Sequence, residues 1–418
     1  MKVLVTDGHQ RPALAIVRSL GRRGVPVLVG AESPASLASS SKYCERHVTY
    51  PSPERDQKAF DRFMLALARR GEAEVVLPVT DVAMAAVSAN QDALRHHCAL
   101  ACPPFHAFEA VTDKWSLIKR AQACHVPTPR TRLVDGLSDL HKAADIADEP
   151  AVVKPIRSRV RTGAGWTGTT VRYARSRAEI RTLFEETESL QRYPSLIQQR
   201  IVGRGVAIFV LFDHGRLLTD FAHRRLREKP PSGGASVLCE SVAVDPRLRE
   251  FAVRLLAPLG WHGVAMLEFK QDYRTGELYL IEVNGRFWGS LQLAIASGVD
   301  FPFMTYQLAI GERPSVPRGY RVGTRCRWLL GDLDHLLIRL TRSAADLNLA
   351  DGAPSKLRAT LDFLKFVEPG LYYEIISAAD PAPVLQELAE YGRTLLEGVT
   401  RRFQMRPGRL EHVPKVVG

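Results

Sequence analysis

Apolar positions in the first hundred residues fall into short runs separated by a stretch of helical spacing. Residues 2–7 read as a buried strand closed by Asp7-Gly8, Ala13 to Gly21 as a helix ending near Gly24, and Val25-Pro26-Val27-Leu28-Val29-Gly30 as the next strand. A third run, Val75-Val76-Leu77-Pro78-Val79, leads into Thr80-Asp81 and an alanine-rich helix. This alternation predicts a small parallel α/β layer. No G-x-G-x-x-G follows the first strand, which leaves a dinucleotide site with little support.

The texture changes at Cys102-Pro103-Pro104. A helix opens at Thr112-Asp113-Lys114 and ends before Val126-Pro127-Thr128-Pro129. Ala151 to Pro155 then reads as a strand, residues 157–169 as a Gly/Arg-rich loop, Thr170 to Tyr173 as a returning strand and Arg177 to Glu188 as a helix. From Ser195 to Ile201, and again from Val206 to Phe212, the pattern is that of antiparallel strands, continuing through Leu217–Arg225, the Gly233-Gly234 loop and a helix from Pro246 to Leu259. Beyond about residue 320 amphipathic helices dominate, at Asp332–Leu340, Pro354–Phe366 and Pro383–Leu396. The expectation is a mixed α/β and α+β chain in four parts. These are an N-terminal parallel α/β domain (1–112), a small lid domain (113–194), an antiparallel-sheet domain bearing the candidate chemistry (195–320) and a helical C-terminal extension (321–418).

The strongest chemical pattern lies in one hairpin, Leu267-Glu268-Phe269-Lys270 followed by Tyr279-Leu280-Ile281-Glu282-Val283-Asn284-Gly285-Arg286. Arg274-Thr275-Gly276 reads as a three-residue loop with glycine at the left-handed position. That loop sets Glu268 opposite Glu282 on one face. Asn284 lies two residues along the same face, while Leu267, Phe269, Ile281 and Val283 face the core. Opposed like charges destabilise a sheet unless they are compensated. A hard divalent cation on carboxylate and amide oxygens would compensate them, and Mg²⁺ characteristically joins one or two carboxylates to nucleotide phosphates. The alternative is a solvated hairpin face, since a one-residue slip would part the two carboxylates.

Composition narrows the partners. The 418 residues allow two or three domains, and no apolar run approaches the roughly 18 residues of a membrane span. The N-terminus shows no signal-peptide pattern, so a cytoplasmic location is the default expectation. Cys44, Cys98, Cys102, Cys124, Cys239 and Cys326 lack paired ligand spacing and read as reduced thiols, mostly buried, rather than a zinc site. The net charge of 57 − 45 = +12 suits nucleic acid, an acidic membrane surface or a polyanionic small molecule. Between Lys154 and Arg177 there are seven basic residues and no acidic one, interleaved with Gly163, Gly165 and Gly168, a distribution that favours the small molecule over specific nucleic acid.

The order Asp113-Lys114, Val152-Val153-Lys154-Pro155, glycine-rich loop, Ile197-Gln198-Gln199-Arg200-Ile201-Val202-Gly203, Glu268, and Glu282-Val283-Asn284-Gly285-Arg286 resembles the ATP-grasp superfamily, and within it the carboxylate–amine ligases, over about residues 1–315. The resemblance implies ATP with Mg²⁺ (or Mn²⁺) as cofactors. It implies that Lys114 and Lys154 touch nucleotide phosphates, and that the loop of Gly163, Gly165 and Gly168 covers them. By the same resemblance Gln198, Gln199 and Ile201 lie on the adenine-binding strand and Glu268, Glu282 and Asn284 are metal ligands. Arg286 and Arg225 take the place of arginines beside the transferred phosphate. Two positions depart from the family pattern: Gln199 stands where Glu is usual, and Arg204 stands near the place of an acidic ribose ligand.

The implied chemistry is ADP-forming. A substrate carboxylate becomes an acyl phosphate, and an amine displaces phosphate. Two other readings stay open: the same fold acting on bicarbonate or a thiol, and a non-catalytic nucleotide or nucleic-acid binder. Phe287-Trp288-Gly289-Ser290 is either a substrate-pocket wall or core packing. His223 and His262 are left outside the site as single histidines. The C-terminal extension is a candidate for dimerising, covering the site or docking a carrier protein.

Overall fold

The computed structural model describes residues 1–156, 159–162, 165–168, 171–344, 346–347, 349 and 353–404. Its N-terminal layer is a five-stranded parallel sheet of β1 (Val3–Val5), β2 (Val27–Ala31), β3 (Arg46–Thr49), β4 (Val75–Leu77) and β5 (Ala99–Leu100), in the order β3-β2-β1-β4-β5. The expected strands are present; β3 and β5 are additional, the first only half-buried and the second two residues long, too weak in pattern to stand out. The helix Arg11–Gly21 lies with every residue from Pro12 to Leu20 buried between this layer and the next.

A four-stranded sheet follows in the order β10-β7-β11-β6, from β6 (Thr131–Val134), β7 (Ala151–Pro155), β10 (Arg172–Ala174) and β11 (Ser195–Gln199). The glycine-rich segment expected as a loop contains a two-stranded hairpin, β8 (Arg159–Thr162) with β9 (Gly165–Gly168). The boundary expected at 194/195 is also displaced. Strand β11 hydrogen-bonds to β6 and β7, so it belongs to the lid sheet, because its buried Ile197 shares the lid core with Val153 and Phe184.

The large sheet runs β16-β15-β12-β13-β14-β17-β18, from β12 (Gly203–Asp213), β13 (Arg216–Lys229), β14 (Ala235–Val242), β15 (Gly263–Asp272), β16 (Leu278–Asn284), β17 (Arg325–Arg327) and β18 (Leu371–Tyr373). Period-2 alternation splits its residues between two cores. Ile208, Val210, Phe212, Leu267 and Phe269 pack under the helix Pro246–Leu256, while Phe209, Leu211, Phe221 and Met266 join the core shared with the N-terminal layer. Part of this second face is left open as a cleft.

The C-terminal segment has the expected helices, at Leu329–Thr341, Lys356–Phe363 and Ala382–Gln404, and adds the edge strands β17 and β18 to the sheet. Buried ion pairs bind it to the body. Asp332, 1% exposed, accepts from Arg227 at 2.6 Å through both its oxygens and from Arg327, and Arg18 pairs with Asp380 at 2.8 Å. All six cysteines are free thiols, four of them buried, and among the described residues no helix is long and apolar enough to cross a membrane.

Removing a carboxylate that answers two arginines strands both charges in the interior. Asp332→Ala is therefore expected to lower unfolding stability by about 3–5 kcal/mol, read as a fall in the urea midpoint. A change under about 1 kcal/mol would place the pair in the class of solvent-screened surface bridges.

Candidate functional site

The β15–β16 hairpin sets Glu268 directly opposite Glu282, with Asn284 opposite Met266. This is the expected pairing, reached by a different route. The loop is one residue longer than expected, because Asp272 N–H donates to the Glu277 carbonyl at 2.9 Å across residues 273–276, with Gly276 at φ +71°. A bulge next to Glu268 absorbs the extra residue, pairing Phe269 with Leu280 and leaving Ile281 over. Leu280 therefore packs in the core, and Ile281, expected there, lines the cleft beside Glu282. Gly285 follows without a side chain because a Cβ there would lie 2.8 Å from the Trp261 ring.

Around the two carboxylates the fold gathers four cations from different elements. Arg225, on β13, reaches across β12 to Glu268, its Nη2 donating to Oε2 at 2.5 Å and its Nη1 to Glu228 at 2.9 Å. It can cross because the intervening β12 positions are Gly205 and Ala207, the latter paired to Glu268 itself. Lys114 opens the helix Lys114–Ala123, capped by Asp113 accepting from Ser116 N–H at 2.8 Å; its own N–H donates to the Ile156 carbonyl, joining the helix to the end of β7. Lys154, on β7, shares a face with Val152 while Val153 enters the lid core, so alternation points the ammonium into the cleft. The residue is 5% exposed, and its ammonium has no hydrogen bond to any described residue. Arg286 donates to Asp81 at 3.1 Å, to the Asn284 amide oxygen at 3.2 Å and to the Phe287 carbonyl at 2.9 Å.

Burial raises Glu268 to about 6, with Glu282 adding to the rise and Arg225 opposing it. Burial would also raise Glu282, but Lys114, the Asn284 amide, Lys154 and Arg286 together hold it below the usual carboxylate value. Desolvation, aided by Lys114, pulls Lys154 down to about 8, and desolvation lowers Lys114 as well. The apposition of carboxylates is thus compensated on the Glu268 side by Arg225. Glu268 Oε1 and Glu282 Oε2 remain without partners among the described residues. With the Asn284 amide they form an all-oxygen donor set that fits a hard divalent cation.

The cleft encloses about 720 Å³ and takes in Lys114, Lys154, Gln198, Gln199, Ile201, Arg225, Glu268, Glu282, Asn284 and Arg286, within the roughly 300–1,000 Å³ of small-molecule sites. Gln198 lines it, yet its side-chain amide is engaged with Thr131 Oγ1 at 2.8 Å and is 2% exposed, so its side chain is committed to the lid sheet. Gly165 and Gly168 lie on β9 in the lid hairpin; Gly163 falls outside the described residues. Arg204 is turned to Gln271 at 2.8 Å. Trp288 and Phe287 are 1% and 2% exposed and packed in the core, as one of the two readings expects, while Trp288, Gly289 and Ser290 also line the cleft. His223 lies in the cleft wall, bonded to Ser290 Oγ at 2.8 Å and driven down to about 3 by burial; His262 lies outside it, beside Asp213 and His214.

Sequence reasoning missed Arg11, Asp81, Tyr173 and Arg200. Arg11 and Asp81 each follow the carboxyl end of a parallel strand, the position where open α/β sheets meet their ligands. Tyr173 and Arg200 form a stacked pair, with the guanidinium 5.4 Å from the ring centroid, that no spacing along the chain would pair.

Because Glu268 titrates above the free carboxylate value, its ionisation opposes folding above about pH 6 and is relieved as pH falls through that value. Arg225→Met raises Glu268 further. It is expected to destabilise the protein by about 1–3 kcal/mol at pH 8 and by distinctly less at pH 5. Urea unfolding at the two pH values measures this, and equal losses would remove Arg225 as the counter-charge.

Residues 191–330 match a family model described as ATP-grasp in the biosynthetic pathway with Ter operon. No curated protein matches the chain. Among solved structures, an L-amino acid ligase from Bacillus licheniformis is 20% identical with a TM-score of 0.60, covering 75% of this chain and 75% of that one. The biotin carboxylase domain of the 2-oxoglutarate carboxylase from Hydrogenobacter thermophilus, in complex with MgADP, ADP and bicarbonate, is 18% identical with a TM-score of 0.61, covering 78% and 73%. The N5-carboxyaminoimidazole ribonucleotide synthetase of Thermus thermophilus is 20% identical with a TM-score of 0.57, covering 77% and 81%. Through these likenesses and the family match, the chain takes its place among proteins of the ATP-grasp fold.

Proposed function

We propose that the protein is an ATP-dependent, ADP-forming ligase that joins a carboxylate to an amine through an acyl phosphate. The observation that carries this is the opposed pair Glu268/Glu282 in a cleft with Lys114, Lys154, Arg225 and Arg286. A buried lysine whose ammonium makes no hydrogen bond to any described residue, such as Lys154, is ready for a ligand anion. The L-amino acid ligase among the structural likenesses supports an amine acceptor.

In this reading Lys114 and Lys154 hold the nucleotide phosphates, the β8–β9 hairpin covers them, and Gln199 and Ile201 hold the adenine from the cleft end of β11. Glu268, Glu282 and Asn284 would hold Mg²⁺ (or Mn²⁺), which when bound neutralises phosphate oxygens. A carboxylate oxygen of the substrate attacks the γ-phosphorus and ADP leaves; the amine then attacks the acyl carbon and phosphate leaves. Arg286 and Arg225 face the transferring group and stabilise the charge that builds on it. No protein nucleophile is needed. His223, neutral and committed to Ser290, takes no proton.

The test is ADP and phosphate release in the presence of Mg²⁺, with pooled carboxylates and amines compared against ATP alone. A pool-dependent rise is expected; release driven by bicarbonate alone would instead favour the carboxylating chemistry suggested by the biotin carboxylase likeness.

Glu282→Gln is expected to leave the fold intact and lower turnover by about 100-fold or more. A variant keeping most of its turnover would remove the metal assignment. Arg286→Met should lower kcat by about 100-fold while nucleotide affinity, measured by calorimetry, stays within about three-fold. Parallel losses in both would contradict a transition-state role.

A further inference from the structure

One end of the cleft is lined by groups that phosphoryl transfer leaves unused. Arg11, the first residue of its helix, enters the cleft from the N-terminal layer. Its guanidinium lies 3.9 Å from the centroid of the Trp328 ring and its Nη1 is bonded to Glu374. Both partners belong to the C-terminal segment, and Glu374 is 3% exposed. The Arg11 Nη2 faces Gly289, where a Cβ would lie only 2.9 Å away. Among the described residues neither its Nε nor its Nη2 has a hydrogen-bond partner. An aromatic face on one side and a buried carboxylate on the other therefore fix the fork while part of it is left for something else.

Three buried polar atoms in the lining of the same cleft are also unpartnered: Trp288 Nε1, His223 Nδ1 and Ser236 Oγ. Buried polar atoms are costly to leave unpaired, and together with Arg11 these read as half of a ligand's hydrogen-bond set. Indole N–H and guanidinium only donate, and a serine hydroxyl can donate. A set of donors beside a positive charge fits an anion, and the planar fork of an arginine fits a carboxylate.

We propose that Arg11, positioned by Glu374 and Trp328, docks a second carboxylate of the substrate pair, distinct from the one that is activated. This rests on the ligase reading of the same cleft. The substrates then include either an amino acid as the amine acceptor, docking its own carboxylate, or a dicarboxylate as the donor. The C-terminal segment thereby takes part in selecting substrate.

The test compares acid and amide forms of each partner, amino acids against amino acid amides as acceptors and dicarboxylates against their monoamides as donors. In one of the two series the wild-type protein is expected to prefer the acid at least about ten-fold in kcat/KM, expressed in KM. Arg11→Lys, which keeps a charge over Glu374, and the double variant R11Q/E374Q, which strands none, should both bring that preference close to one. The series that responds identifies the source of the carboxylate. An acid preference absent from both series, or surviving in both folded variants, overturns the proposal. Calorimetric binding of the same probes with a non-hydrolysable ATP analogue is read alongside. Loss of acid binding in the variants supports the docking role even if no probe drives ADP release, an outcome that would overturn the ligase reading alone; acid binding equal in all three proteins overturns the docking role itself.

Discussion

Two carboxylates held face to face in a cleft are the constraint around which this molecule is arranged. Glu268 and Glu282 cannot both remain ionised there without counter-charge, and none of the cations that supply it comes from their own two strands. Arg225 arrives from β13, Lys114 from a helix start, Lys154 from the lid sheet and Arg286 from the segment after β16. The small residues Gly205 and Ala207, the Asp113 cap and the alternation along β7 are local devices that deliver those charges. The three sheets are thus coupled electrostatically in this cleft.

The same logic extends to the C-terminal segment. Arg18–Asp380, Arg11–Glu374 and the Arg227–Asp332–Arg327 cluster are buried ion pairs between that segment and the body. Buried pairs contribute little net stability relative to apolar packing, yet they are costly to break on one side. They therefore fix where the segment sits more than how tightly it holds. Its edge strands β17 and β18 extend the large sheet beyond β14, so the sheet has no natural end at residue 320.

Much of this was legible in the chain. The parallel layer, the lid strands and the opposed hairpin all follow from period and turn residues, and the cation set of Lys114, Lys154 and Arg286 followed from motif order. What stayed hidden depends on distance through space. The resemblance names Arg225, but what separates it from Arg224 and Arg227 is register, since Arg224 turns outward to Glu240 and Arg227 to Asp332. The pattern of strand β11 does not tell the lid sheet from the large one, because its apolar run is the same whichever core receives Ile197. Arg11 and Glu374 are 363 residues apart, and neither sits in a pattern that names the other.

The longer loop at residues 273–276 and the bulge at Ile281 compensate each other: one adds a residue to the hairpin and the other takes it out of register before Glu268 is reached. Neither feature has meaning alone. Closing the turn one residue earlier, with Tyr273 opposite Glu277, would by itself slide Glu268 past Glu282, and so would straightening the bulge, whereas making both changes would return the carboxylates to apposition. The hairpin can therefore change its turn only together with its bulge, and a homologous hairpin of equal length whose turn is one residue shorter should be an unbulged one.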